Sequence, residues 1–104
     1  METIAFKMQL LPGLEDEYKK RHDDIWPELK SLLKAAGIHD YFIFHDHSTN
    51  ALFAVFKTDN LAAMDALPEQ ALMQKWWNYM ADIMDTNPDA SPVVTPLDKV
   101  FFMP

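Results

Sequence analysis

The chain has 104 residues, a length that suggests one domain, and its 49% apolar and 24% charged residues are the balance of a globular protein rather than a disordered one. Lys and Arg number 9 against 16 Asp and Glu, a net charge of −7. An acidic surface repels phosphate backbones and anionic membranes, so neither nucleic acid nor membrane is expected as a partner.

Residues 3–10 alternate, with Ile4, Phe6, Met8 and Leu10 on one side and Ala5, Lys7 and Gln9 on the other. That period of two predicts a strand. Pro12-Gly13 is a turn pair. A helical pattern then runs from about 14 to 36, where Pro27 lacks the N–H that the interior of a helix needs. It suits the first position of a second helical segment, and Gly37 suits the stop. Residues 38–46 read as a second strand, with Tyr41, Ile43 and His45 on one face and Phe42 and Phe44 on the other. A short turn at 47–50 leads to a third strand over 51–57, making a hairpin. A helical turn or two at 60–66 stops at Pro68, and a longer helix covers about 69–84. Three X-Pro pairs between 87 and 96 hold the next stretch extended. Residues 97–103 are expected to form the last strand.

The order β-α-β-β-α-β is the ferredoxin-like arrangement, an α+β fold in which four antiparallel strands carry helices on one face. The strands at 51–57 and 97–103 are apolar on both sides, which an open, solvated face does not explain. A second copy related by a two-fold axis would cover it, so a homodimer is expected.

The stretch 18–29 carries residues that plain packing does not ask for. Tyr18 and His22 are four apart and share one helix face, and Trp26 follows four later. Tyr and Trp on such a stripe are commonly core residues with a bonded polar tip, and a lone His there is commonly structural. Trp76-Trp77 is the second unusual feature, because neighbouring helical residues diverge by about 100° and cannot both point into one core. Tyr41 is the third candidate. His45 and His47, two apart at a hairpin end, have no Cys or Glu-x-x-His to complete a metal site. The chain has no cysteine and only two glycines, so thiolate chemistry and a phosphate loop are absent. No nucleophile-elbow motif accompanies its serines. No apolar run approaches the roughly 20 residues of a bilayer span, and no signal peptide opens the chain, so a cytoplasmic protein is expected.

These residues, taken together, resemble the L-rhamnose mutarotases. The resemblance rests on Glu17-Tyr18 leading to Arg21-His22, on Ile25-Trp26-Pro27-Glu28-Leu29, on Trp76-Trp77 with Tyr79-Met80, on Asn87-Pro88-Asp89 with Ser91-Pro92-Val93, and on Val100-Phe101. Ala90 and Asn78 depart from the family's usual residues, both outside its functional positions. The resemblance implies a dimeric α+β barrel that interconverts the α and β anomers of L-rhamnose without a metal or organic cofactor. It implies His22 as the acid/base residue and Tyr18, Tyr41, Trp76 and Trp77 as the sugar contacts. Two other readings share the scaffold, a cofactor-independent monooxygenase and a non-catalytic ligand-binding protein.

Overall fold

The computed structural model describes all 104 residues. In chain order the elements are β1 (Glu2–Gln9), α1 (Glu15–Asp23), α2 (Pro27–Ala35), β2 (Ile38–Asp46), β3 (Ala51–Thr58), α3 (Leu61–Ala66), a 3-10 turn (Leu67–Glu69), α4 (Ala71–Met80) and β4 (Thr95–Pro96). The strands form one antiparallel sheet in the order β2-β3-β1-β4. This is the expected ferredoxin-like α+β architecture.

Local chemistry places the helix boundaries. Pro27 opens α2 at its first position, and Trp26 before it is extended, with ψ at 127°. Asn60 caps α3 by accepting a hydrogen bond from the Ala63 amide at 3.0 Å. Gly37 ends α2 in the left-handed region, with φ at 85°.

The core lies between one face of the sheet and the helices. Ile4, Phe6 and Met8 stand opposite Phe56, Ala54 and Leu52 across the β1–β3 ladder. Met8, Leu52 and Ala54 pack with Leu29, Trp76 and Met80 in one cluster. Leu29 and Leu52 are fully buried, each burial stabilising the fold by about 1.5–3 kcal/mol. The opposite face carries Ala5, Val55 and Phe42 in one cross-strand row and Lys7, Phe53 and Phe44 in the next. Phe42 and Phe44 stack at 6.1 Å and are 56% and 60% exposed.

Two expectations need correction. The last helix stops at Met80 instead of running from 69 to 84, because the backbone from 81 tightens into turns. Ile83 and Met84 still reach the core, and Met84 bridges to Leu10. The last strand is not residues 97–103. Only Thr95 and Pro96 pair with β1, and one further bond joins the Leu97 amide to the Ala5 carbonyl at 3.0 Å. Beyond it the segment has strand-forming residues but pairs with no strand.

Candidate active site

Helix α1 has three acidic residues in its first turn and Lys20, Arg21 and His22 in its last, the order that the helix dipole favours. Its single buried residue is Tyr18. One turn later the His22 ring stacks on the Tyr18 ring, with centroids 4.3 Å apart and planes 27° apart. His22 Nδ1 lies 3.0 Å from the Tyr18 carbonyl oxygen. A carbonyl can only accept, so in the neutral ring Nδ1 carries the proton and Nε2 keeps its lone pair. Burial lowers the His22 pKa below the ordinary imidazole value, outweighing the Tyr18 carbonyl and the Asp23 carboxylate, which pull it upward.

Helix α4 presents Trp76 edge-on to His22 at 5.4 Å. Trp76 also meets Trp26 edge-on at 5.1 Å and Tyr79 at 5.6 Å, so three aromatic residues hold it. Arg21 fixes α1 against the end of α4. It donates to Glu17 at 3.0 Å, to the Tyr79 carbonyl at 2.7 Å, and to both Asp82 oxygens at 2.8 and 3.2 Å. Its guanidinium sits 4.5 Å from the centre of the Tyr79 ring. The forked contact holds the Asp82 carboxyl below its usual pKa.

Strand β2 supplies Tyr41. The β2–β3 register shifts between His39 and Phe42, and Asp40 adopts a φ of 49°. The irregularity leaves Tyr41 stacked on Phe56 at 5.1 Å, on the helix side of the sheet as expected. Tyr41 keeps 41% of its surface open, yet protein crowds its hydroxyl closely enough to push its pKa up to about 12. Burial also raises the Tyr18 pKa strongly, and the Tyr41 hydroxyl adds to it. Both phenols therefore stay protonated at neutral pH.

Tyr18, His22, Tyr41, Trp76 and Trp77 all line one open cavity of about 1620 Å³ between the sheet and the helices. No buried side-chain nitrogen or oxygen in the molecule is without a hydrogen-bond partner. Tyr18 and Trp76 are buried residues whose polar tips bond nothing in the chain, so those tips open to the cavity. Trp76 is 6% exposed while Trp77 is half-buried, the divergence that adjacent helical positions require.

Sequence reasoning missed the roles of Trp26, Arg21 and Asp82. Trp26 was one residue of a stripe, and nothing local in the chain points from Arg21 to a carboxylate 61 positions away. His45 and His47, which sequence reasoning left as a hairpin-end pair, have rings that meet at 4.5 Å and line the same cavity. No group of three or more His, Cys, Asp or Glu side chains is arranged to hold a metal ion.

Known proteins resemble this chain in sequence and in fold. The L-rhamnose mutarotase family profile matches residues 3–103. An L-rhamnose mutarotase of Acidiphilium cryptum is 61% identical over 104 residues, covering all of both chains. The crystal structure of an L-rhamnose mutarotase from Formosa agariphila superposes with a TM-score of 0.94, at 49% identity and with both chains fully covered. A dimeric ferredoxin-like protein from an uncultured marine organism shares the fold at a TM-score of 0.58 and 15% identity, covering 97% of this chain and 96% of that one. A profile matched over nearly the whole length, and a relative at 61% identity without a gap in coverage, place the chain in the L-rhamnose mutarotase family.

Proposed function

We propose that this chain catalyses the interconversion of the α and β anomers of L-rhamnose, with His22 as the acid/base residue. The match to the family across residues 3–103 carries the activity. The contact of His22 Nδ1 with the Tyr18 carbonyl supports the role of His22, because it leaves Nε2 as a free base on the cavity wall.

Opening a cyclic hemiacetal removes the proton of the anomeric hydroxyl, breaks the bond between C1 and the ring oxygen, and delivers a proton to that oxygen. The open aldehyde turns about its C1–C2 bond and recloses on the other face, with the proton movements reversed. In this reading Nε2 of His22 takes the anomeric proton on opening and passes it to the ring oxygen, and on closure it takes the proton back from that hydroxyl and gives it to the new anomeric oxygen. Desolvation keeps the resting ring neutral and ready to accept. Tyr18 and Tyr41, held protonated, donate hydrogen bonds to sugar oxygens. Trp76 and Trp77 offer flat apolar faces to the C–H side of the ring and displace water. No step calls for a metal or an organic cofactor, and exhaustive chelation should leave the rate unchanged.

The working unit in this reading is a homodimer joined through the open sheet face. The rows through Phe42, Phe44, Phe53 and Val55 support it, since an apolar patch of this kind marks an interaction site. A cytoplasmic location belongs to the same reading; no helix of the chain is long and apolar enough to cross a membrane.

The test follows the exchange of α- and β-L-rhamnose by saturation-transfer NMR. Wild type should exchange the anomers well above the rate in buffer. A folded His22→Gln variant should lose roughly 10²–10⁴ of the enzymatic rate. Near wild-type exchange in that variant would return His22 to the standing of a packed core histidine.

A further inference from the structure

Strand β2 changes parity partway along. Residues opposite each other in an antiparallel pair share a face, and Ala54, Phe56 and Thr58 of β3 are buried on the helix side. Ile38 stands opposite Thr58 and Ile43 opposite Ala54, so both belong to that side. Ile38 packs with Ala36 and Phe56, and Ile43 against the larger cluster that holds Leu52 and Trp76. Strict alternation puts residues an odd number of positions apart on opposite faces, as 38 and 43 are. One extra residue resolves the conflict. Between the His39–Lys57 and Phe42–Val55 pairs, Asp40 and Tyr41 together stand against Phe56 alone, which makes a β-bulge.

Asp40 is the residue that lets the strand do this. It is the only residue inside a strand whose φ lies in the left-handed region. Aspartate tolerates that region better than most side chains, and a β-branched residue does not. Its carboxylate pairs with Lys57 at 3.8 Å, with both side chains more than half exposed, and an ion pair so open to water adds little. The backbone conformation, rather than the charge, is what the position requires. Past the bulge, Tyr41 stacks on Phe56 and lines the cavity, with Ile43 and His45 following on the same side. Without the extra residue, and with Ile38 held in the core, Tyr41 would turn to the open side and Phe42 and Phe44 to the cavity.

We propose that Asp40 is a positioning residue for anomer exchange: its left-handed backbone forms the bulge that turns Tyr41 into the sugar cavity. The proposal rests on the reading of Tyr41 as a sugar contact. Asp40 acts through Tyr41 and makes no contact with the sugar itself. The core pins β2 on both sides of the bulge, at Ile38 and at Ile43, so the costly conformation is held and cannot relax by a slip of register.

The test is a double-mutant cycle in anomer exchange, read over a range of L-rhamnose concentrations. Asp40→Val cannot take the bulge conformation without strain, and Tyr41→Ala removes the group that the bulge positions. Each should raise KM roughly three- to tenfold, the loss of one hydrogen bond to the sugar. In both, kcat should stay close to wild type, because His22 stands on α1, away from the altered strand. The double variant should have the KM of Tyr41→Ala alone. Asp40→Asn and Asp40→Gly lose the charge and keep the conformation, so both should retain the wild-type KM. An unchanged KM in Asp40→Val overturns the proposal, as does a double variant in which the two effects multiply. An unchanged KM in Tyr41→Ala would defeat the sugar-contact reading of Tyr41 and the proposal with it, so the two failures are distinct. Should Asp40→Val not fold, Asp40→Ala takes its place beside Asp40→Gly. Those two chains differ by one methyl group, which disfavours the left-handed region. KM should rise in the Asp40→Ala chain alone, and equal values in the two overturn the proposal.

Discussion

At the scale of single residues, the environment of His22 sets the pH behaviour. Burial penalises the imidazolium, so the pKa in the folded protein lies below the unfolded value of about 6.5. The base is the active form, so turnover should hold as pH falls to about 6.5 and be lost only as it passes through the lower folded pKa. Stability follows the same sign. Between the two pKa values the unfolded chain binds more protons than the folded one, so the contribution of His22 is present above about 6.5 and is lost as pH falls through the folded value. NMR titration of the His22 ring alongside the rate profile checks this, and a pKa above 6.5 would contradict it. The two tryptophans should separate in function. Trp76 touches His22, Trp26 and Tyr79, so Trp76→Phe should lower Tm. Trp77 is half-buried on the cavity wall, so Trp77→Phe should raise KM for L-rhamnose and leave Tm nearly unchanged. Equal shifts in both quantities from both variants would refute the division.

At the scale of elements, two joints hold the helices in place. Gly37 turns the chain from α2 into β2 with a φ of 85°, and a methyl group there would meet the Asp59 carboxylate. The left-handed conformation alone costs a non-glycine residue about 1–2 kcal/mol, so Gly37→Ala should destabilise by at least that much in urea unfolding. The Arg21 fork is the second joint. Lys cannot reproduce a planar contact with both Asp82 oxygens, the Tyr79 carbonyl and Glu17 together. Arg21→Lys should cost about 1–3 kcal/mol in the same measurement. It should also slow anomer exchange, because α1 carries both Arg21 and His22.

At the scale of the whole molecule, the fold has two unlike faces. One buries Met8, Leu52 and Ala54 under the helices, and the other presents Phe42 and Phe44 to solvent. Sedimentation at micromolar concentration should show twice the chain's mass of 12.0 kDa. A single-chain mass would remove the dimer.

Much of this was legible in the chain before any fold was known. Alternation located β1, and apolar runs on either side of the turn at 47–50 located β2 and β3, because the strand period of two and the hairpin are both set by local backbone geometry. Pro27 and Gly37 marked the helix boundaries for equally local reasons, a missing N–H and a missing Cβ. Tyr18 and His22 were paired by the helical turn that stacks them. The rest depended on contacts between residues far apart in sequence. Trp76 reaches His22 only because α4 packs beside α1, and Arg21 finds Asp82 across 61 positions. The shortness of β4 is the clearest case. Residues 97–103 have the composition of a strand, but a strand exists only where the chain lies along another, and past the bond to the Ala5 carbonyl this segment no longer follows β1.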